Sequence, residues 1–104
     1  MGRGEMAMRS DLEWTKLCVG PGWAGIVDRL ITDLLELGWD GKVSQVKEKF
    51  GGLRFYICGG TEEMFDRIDR AESESLETCE ECGEPGTLNG SGWLRTLCKE
   101  HRGQ

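Results

Sequence analysis

The sequence predicts an α+β fold in which two amphipathic helices pack on a β-hairpin, followed by a C-terminal treble-clef or ribbon-like zinc finger. Three observations lead there. Apolar residues recur at helical spacing from Trp23 to Leu35. Two extended segments then flank the Gly51-Gly52 pair, and a second helical stripe runs toward a cluster of cysteines.

Near the start, "SDLE" places Ser10 at an N-cap with Glu13 three residues on, the capping-box pattern of a short helix running toward Cys18. After "VGPG", Trp23, Ile26, Val27, Leu30, Ile31, Leu34 and Leu35 line one face, while Asp28, Arg29, Thr32, Asp33 and Glu36 line the other. Gly38 supplies a left-handed stop, so the helix is expected over Pro21–Leu37. In "KVSQVKEKFGGLRFYIC" a Gly51-Gly52 turn would set Phe50 opposite Leu53, Glu48 opposite Phe55 and Val46 opposite Ile57. The other face would put Lys49 across from Arg54 and Lys47 across from Tyr56. Like charges across a strand pair are destabilising, so an anionic neighbour is expected. Thr61 caps the second helix, with Glu62 and Glu63 in its first turn, where the backbone dipole favours negative charge. Met64, Phe65, Ile68, Ala71 and Leu76 form its apolar side, and it should stop near Glu77.

At 104 residues the chain has room for one domain with a modest core, in which a local staple matters. It divides into an N-terminal segment (1–20), a helix-hairpin-helix body (21–77) and the finger (78–104). The composition, 38% hydrophobic and 31% charged, is globular, and no apolar run approaches the ~20 residues of a membrane span. The N-terminal "MGRGEMAMRS" has no apolar core of a secretory signal, so cytoplasmic residence is the expectation. In a reducing compartment, clustered cysteines point to metal rather than to disulfides. A net charge of -6 disfavours indiscriminate nucleic-acid binding by the whole surface. The charge is uneven, with acids crowded from Glu62 to Glu84 and cations at Lys42, Lys47, Lys49, Arg54, Arg95, Lys99 and Arg102.

The last quarter of the chain reads C-x2-C, fifteen intervening residues, then C-x2-H: Cys79, Cys82, Cys98 and His101. Zinc takes four sulfur or nitrogen donors in a tetrahedron, and a two-residue gap lets both donors of one tight turn reach the same ion. Gly83 lets a knuckle turn beneath the metal. "LNGS", Leu88 to Ser91, reads as the turn that brings Trp93 to Leu97 back toward it, and Cys98 would open a helical turn that delivers His101. Cys3His fills all four positions, so the ion is structural, and folding of the tail should be coupled to it. Cys18 and Cys58 are expected to be small buried hydrophobes, and Trp93 to pack between tail and body.

With His101 committed to the metal, no histidine remains for general-base work or for activating a nucleophile. The glycine clusters form neither a P-loop nor a dinucleotide fingerprint. An enzyme using Cys18 or Cys58 as nucleophile would lack a partner base.

The hairpin "VKEKFGGLRFY", the second helix, and "CEECG" followed by "GWLRTLCKEH" resemble a family of small uncharacterised proteins of bacteria and bacteriophages, over roughly Pro21 to His101. The resemblance implies the zinc site and a phage or prophage origin, with no activity to transfer. Two functions are therefore expected. The first is a non-catalytic protein that binds another protein, for instance a phage-encoded modulator of a host factor. The second is a nucleic-acid binder that meets phosphates with Lys47, Lys49, Arg54 and Arg95 and stacks a base on Tyr56.

Overall fold

The computed structural model describes residues 9–90 and 92–102, with Arg9 and Ser10 described by their backbone alone. The cap expected of the Ser10 side chain lies outside the described residues. Its segment, Arg9–Cys18, winds as a 3-10 helix rather than an α-helix. Leu12 is buried in the main core, whereas Trp14 and Leu17 face outward.

A 3-10 turn at Pro21–Trp23 leads into α1, Ala24–Glu36. Proline fits there because an amide at a helix start has no intrahelical acceptor to lose. Ile26, Val27, Leu30, Ile31 and Leu34 form the buried stripe. Gly38, at φ 101°, ends the helix in the left-handed region. Its N–H bonds to Leu35 O (3.1 Å) and that of Trp39 reaches back to Leu34 O (3.0 Å). This paired closure satisfies two helix-end carbonyls and tucks Trp39 beneath the helix. The Trp39 ring meets Phe55 edge-on, with centroids 6.1 Å apart.

Strands β1 (Val43–Lys49) and β2 (Gly52–Ile57) form an antiparallel hairpin. Its turn is Phe50-Gly51 rather than Gly51-Gly52. Lys49 pairs with Gly52, Glu48 with Leu53, Lys47 with Arg54 and Val46 with Phe55. Both turn residues have positive φ, 54° at Phe50 and 80° at Gly51, as a two-residue turn matched to strand twist requires. The Glu48 carboxylate locks it by accepting the Gly51 N–H at 2.6 Å. The register thus differs by two residues from the expected one. Side chains alternate with period two, so the inner face survives the shift. Val46, Leu53, Phe55 and Ile57 are buried, and Gln45, Lys47, Lys49, Arg54 and Tyr56 share the other face.

Helix α2, Glu62–Ser75, starts at Thr61, whose side chain accepts the Met64 N–H at 3.3 Å. It buries Met64, Ile68, Ala71 and Ser75, a stripe stepping by four, three and four. Phe65 and Leu76, expected on that side, each lie one residue past the stripe and are partly exposed. Two ion pairs join the helices, Arg67 Nε to Asp33 Oδ2 (2.6 Å) and Arg29 Nη2 to Glu74 Oε2 (2.7 Å). Side chains of α1, α2, the inner hairpin face and the N-terminal segment merge into one core. No helix among the described residues is long and apolar enough to cross a membrane.

The outer edge of β2 is closed by α2. Ser75 Oγ accepts the Leu53 N–H (2.9 Å) and Glu72 Oε2 accepts the Phe55 N–H (3.1 Å). Glu72 Oε1 also lies 4.0 Å from Arg54, and so supplies the anion expected near the cationic hairpin face. Burial raises the Glu72 carboxyl above its ordinary range, although the Phe55 N–H and Arg54 pull the other way. A folded-state value above the unfolded one means that this group's favourable contribution is full below the ordinary glutamate range and is lost as pH rises through the raised value. Glu72→Gln keeps an acceptor and removes that penalty. Its stability relative to wild type should therefore increase from mildly acidic to neutral pH, and comparison at each pH cancels losses common to both. Glu72→Ala orphans the Phe55 N–H and should cost about 1–3 kcal/mol by denaturant titration. Equal losses in both variants would show that the acceptor is not what matters.

Candidate metal centre

Beyond α2 the chain makes a tight knuckle. Cys79 N–H bonds to Glu84 O (2.7 Å) and Gly83 N–H returns to Cys79 O (2.9 Å), with Gly83 at φ 85°. Strands β3 (Thr87–Asn89) and β4 (Arg95–Leu97) pair antiparallel, and the short helix α3 follows at Lys99–Arg102. Cys98 immediately precedes α3 and accepts the Arg102 N–H on its carbonyl (2.9 Å). His101 is three residues on, so the first helical turn sets both side chains on one side.

These elements bring Cys79, Cys82, Cys98 and His101 together, with one ligand atom from each lying within 4.8 Å of all the others. Cys82 Sγ is 3.7 Å from Cys98 Sγ, and His101 Nδ1 is 3.1 Å from Cys98 Sγ and 3.5 Å from Cys79 Sγ. Tetrahedral zinc with bonds of about 2.3 Å to sulfur needs sulfurs about 3.8 Å apart, so the donor spacing fits such an ion. The four residues are close enough to bind a metal ion.

The backbone prepares the sulfurs as ligands. Burial pushes the Cys79 thiol up, but N–H groups of Cys98, Glu81 and Cys82 outweigh it and hold the thiol at about 6. The Cys98 thiol is lowered, chiefly by the backbone N–H of His101. A backbone N–H at Glu84 favours ionisation of Cys82, yet burial and the neighbouring sulfurs push it up to about 11. The imidazole of His101 is raised by its bond to Cys98. Thiolates crowded this closely repel one another, and a cation is what relieves the repulsion.

Among the described residues the finger has almost no apolar interior, only Cys79, Leu97 and Cys98. It leans on the body at two places. At the first, Gly22 N–H bonds to Glu80 O (2.8 Å) and the Trp23 indole to Thr78 O (2.8 Å). A Cβ at Gly22 would be driven into the Cys79 carbonyl oxygen and sit 2.6 Å from Gly83 N. At the second, buried Thr96 donates its hydroxyl to Gly51 O (2.7 Å), and a Cβ at Gly51 would strike a Leu88 methyl.

Arg95 proves to be part of the centre's scaffold. From β4 it reaches the residues between the first two cysteines, with Nε 3.0 Å from Glu80 Oε2 and Nη2 on Glu81 Oε2. Glu80 N–H also bonds to Thr96 O (2.9 Å), and Glu80 Oε1 accepts the Thr96 N–H (3.3 Å). The knuckle is thereby tied to β4 by a cation between two carboxylates. Its signal in the sequence was the pair of acids inside C-x2-C with an arginine before the third cysteine.

Of the other candidate contacts, four lie together on the outer hairpin face, apart from Arg95. Arg54 is half-buried against Glu72, Lys47 is half-buried, and Lys49 and Tyr56 are exposed on the same hairpin face. Cys18 and Cys58 are exposed rather than buried. Cys18 is the last residue of the 3-10 segment Arg9–Cys18, and Cys58 lies just past the end of β2. Trp93, expected between tail and body, is 77% exposed because Thr96 and Leu88 make that contact instead.

Arg95→Ala should weaken metal binding by about tenfold in competition with a chromophoric chelator, with Arg95→Lys intermediate. Gly22→Ala should expose the tail to proteolysis while the body keeps its helical circular dichroism, at a cost of about 1–3 kcal/mol. A Gly22→Ala protein with unchanged protease resistance would show that the knuckle is not seated on that loop. Compared with known protein families, curated proteins and solved structures, the chain matches none.

Proposed function

We propose that this chain is a non-catalytic zinc-binding protein whose finger staples a surface used to bind another protein. The observation that carries the reading is the closed donor set. Three cysteines and the chain's only histidine converge, leaving no donor position for a reacting water and no second histidine to act as a base. The ion would supply cross-linking between knuckle and helix rather than turnover. Knuckle, β-hairpin and ligand-bearing helical turn follow one another as in a treble clef, which supports that assignment. The missing catalytic base, the uneven charge and the small stapled body favour a cytoplasmic modulator of a host factor, and the resemblance to small bacterial and phage proteins bears only on a phage origin.

Nucleic-acid binding is the second reading, favoured by Lys47, Lys49 and Tyr56 sharing one open strand face. It is the weaker of the two. Arg54 and Arg95 are engaged with the protein's own carboxylates, which leaves few cations for phosphates. Purified protein should contain stoichiometric zinc by elemental mass spectrometry, and chelation should abolish amide-exchange protection in the finger while α1 stays protected. Affinity capture from a host lysate should retain a specific protein after nuclease treatment. Material without metal, or capture lost entirely to nuclease, would overturn the respective half of the proposal.

A further inference from the structure

The β1–β2 turn and residues 92–94, ahead of β4, lie against each other. The β1–β2 turn presents Phe50, 65% exposed, and the segment before β4 presents Trp93, 77% exposed. They share a surface hollow of about 130 Å³ with Glu48, Gly92 and Leu94. Lys49 sits beside it with Nζ 5.5 Å from the Phe50 ring centre, and Lys47 follows on the same strand face. Neither lysine has an acidic partner among the described residues, in contrast to Lys16, Arg29, Arg67 and Arg95. Phe50 stands at φ 54°, where a β-turn ordinarily takes asparagine or glycine. Apart from the Lys49 ammonium over it, the Phe50 ring is turned to solvent. Exposed Phe and Trp gathered side by side are the side-chain types that anchor protein interfaces.

We propose that this tip is a docking surface for an acidic segment of a protein partner, which places an apolar side chain in the hollow between Phe50 and Trp93 and its carboxylates on Lys49 and Lys47. The inference rests on the protein-binding reading above and names the surface and the partner chemistry. Charge decides the class of occupant. Two lysines match a pair of carboxylates beside an apolar anchor, whereas a polyphosphate chain carries an anion on every residue and needs a longer run of cations than Lys49 and Lys47 provide, Arg54 and Arg95 being engaged with the protein's own carboxylates. The surface is preformed because the Thr96–Gly51 hydrogen bond fixes one turn against the other hairpin. Trp93 belongs to the finger, so both halves coexist only while the finger is ordered.

Selection of a random displayed-peptide library on the zinc-loaded full chain tests this. Enriched peptides should carry an aromatic or large aliphatic residue beside Asp or Glu. Their affinity should fall at least tenfold with Trp93→Ala, similarly with Phe50→Asn, which keeps a residue suited to the left-handed turn, and several-fold with Lys49→Glu. Lys42→Glu, the same charge change at the other end of the hairpin, should leave it unchanged. Enriched peptides indifferent to Trp93 and Phe50 would overturn the surface while leaving the protein-binding reading intact. A single-stranded oligodeoxythymidylate that binds the wild type and is lost with Trp93→Ala would overturn both.

Discussion

The tail is seated on the body where the knuckle backbone lies directly on the loop at residues 20–23, with the Gly22 N–H bonded to Glu80 O and no room for a side chain at Gly22. Among the described residues its own interior is three side chains, far too little apolar surface by itself to offset the entropy of ordering some twenty-five residues. The contact with Gly22 fixes where Cys79 sits, the Arg95 bridge fixes the knuckle to β4, and β4 carries the chain to Cys98 and His101. A four-donor centre is therefore the last link in a chain of backbone contacts. A cation would close that chain into a loop.

Charge is distributed to the same end. Acidic residues greatly outnumber basic ones, yet the structure places carboxylates where they do specific mechanical tasks. Asp33 and Glu74 hold α2 to α1, Glu72 caps a strand amide, Glu48 closes a turn, and Glu80 and Glu81 grip Arg95. Two of the four cations that the sequence offered for anion recognition, Arg54 and Arg95, are used up in this way. What stays open is the pair of lysines near the hairpin tip.

The parts written locally in the sequence were readable there. The Schellman stop at Gly38, the Thr61 cap and the four ligand positions depend on neighbours a few residues away, and each lies where spacing put it. The hairpin turn was displaced by one residue because the choice between Phe50-Gly51 and Gly51-Gly52 depends on more distant atoms. The Thr96 hydroxyl and Leu88 crowd Gly51, and Leu76 leaves only 3.1 Å for a Cβ at Gly52. Trp93, Cys18 and Cys58 were misplaced for a related reason. Hydrophobic character predicts burial on average, but whether a partner surface reaches a given side chain is settled by tertiary packing. The Arg95 clamp went unrecognised as such since an arginine after a cysteine pair reads equally well as a phosphate ligand.

Closure of the β2 edge by Ser75 and Glu72 also bears on self-association. A two-stranded sheet normally offers two lines of unpaired amides, and a stack grows without limit when both accept a neighbour. Here α2 side chains occupy the amides of Leu53 and Phe55, so one flank is sealed. Intermolecular pairing through this hairpin has only the β1 edge left to use, and a sheet that can join on a single side terminates as a pair instead of propagating into a fibre.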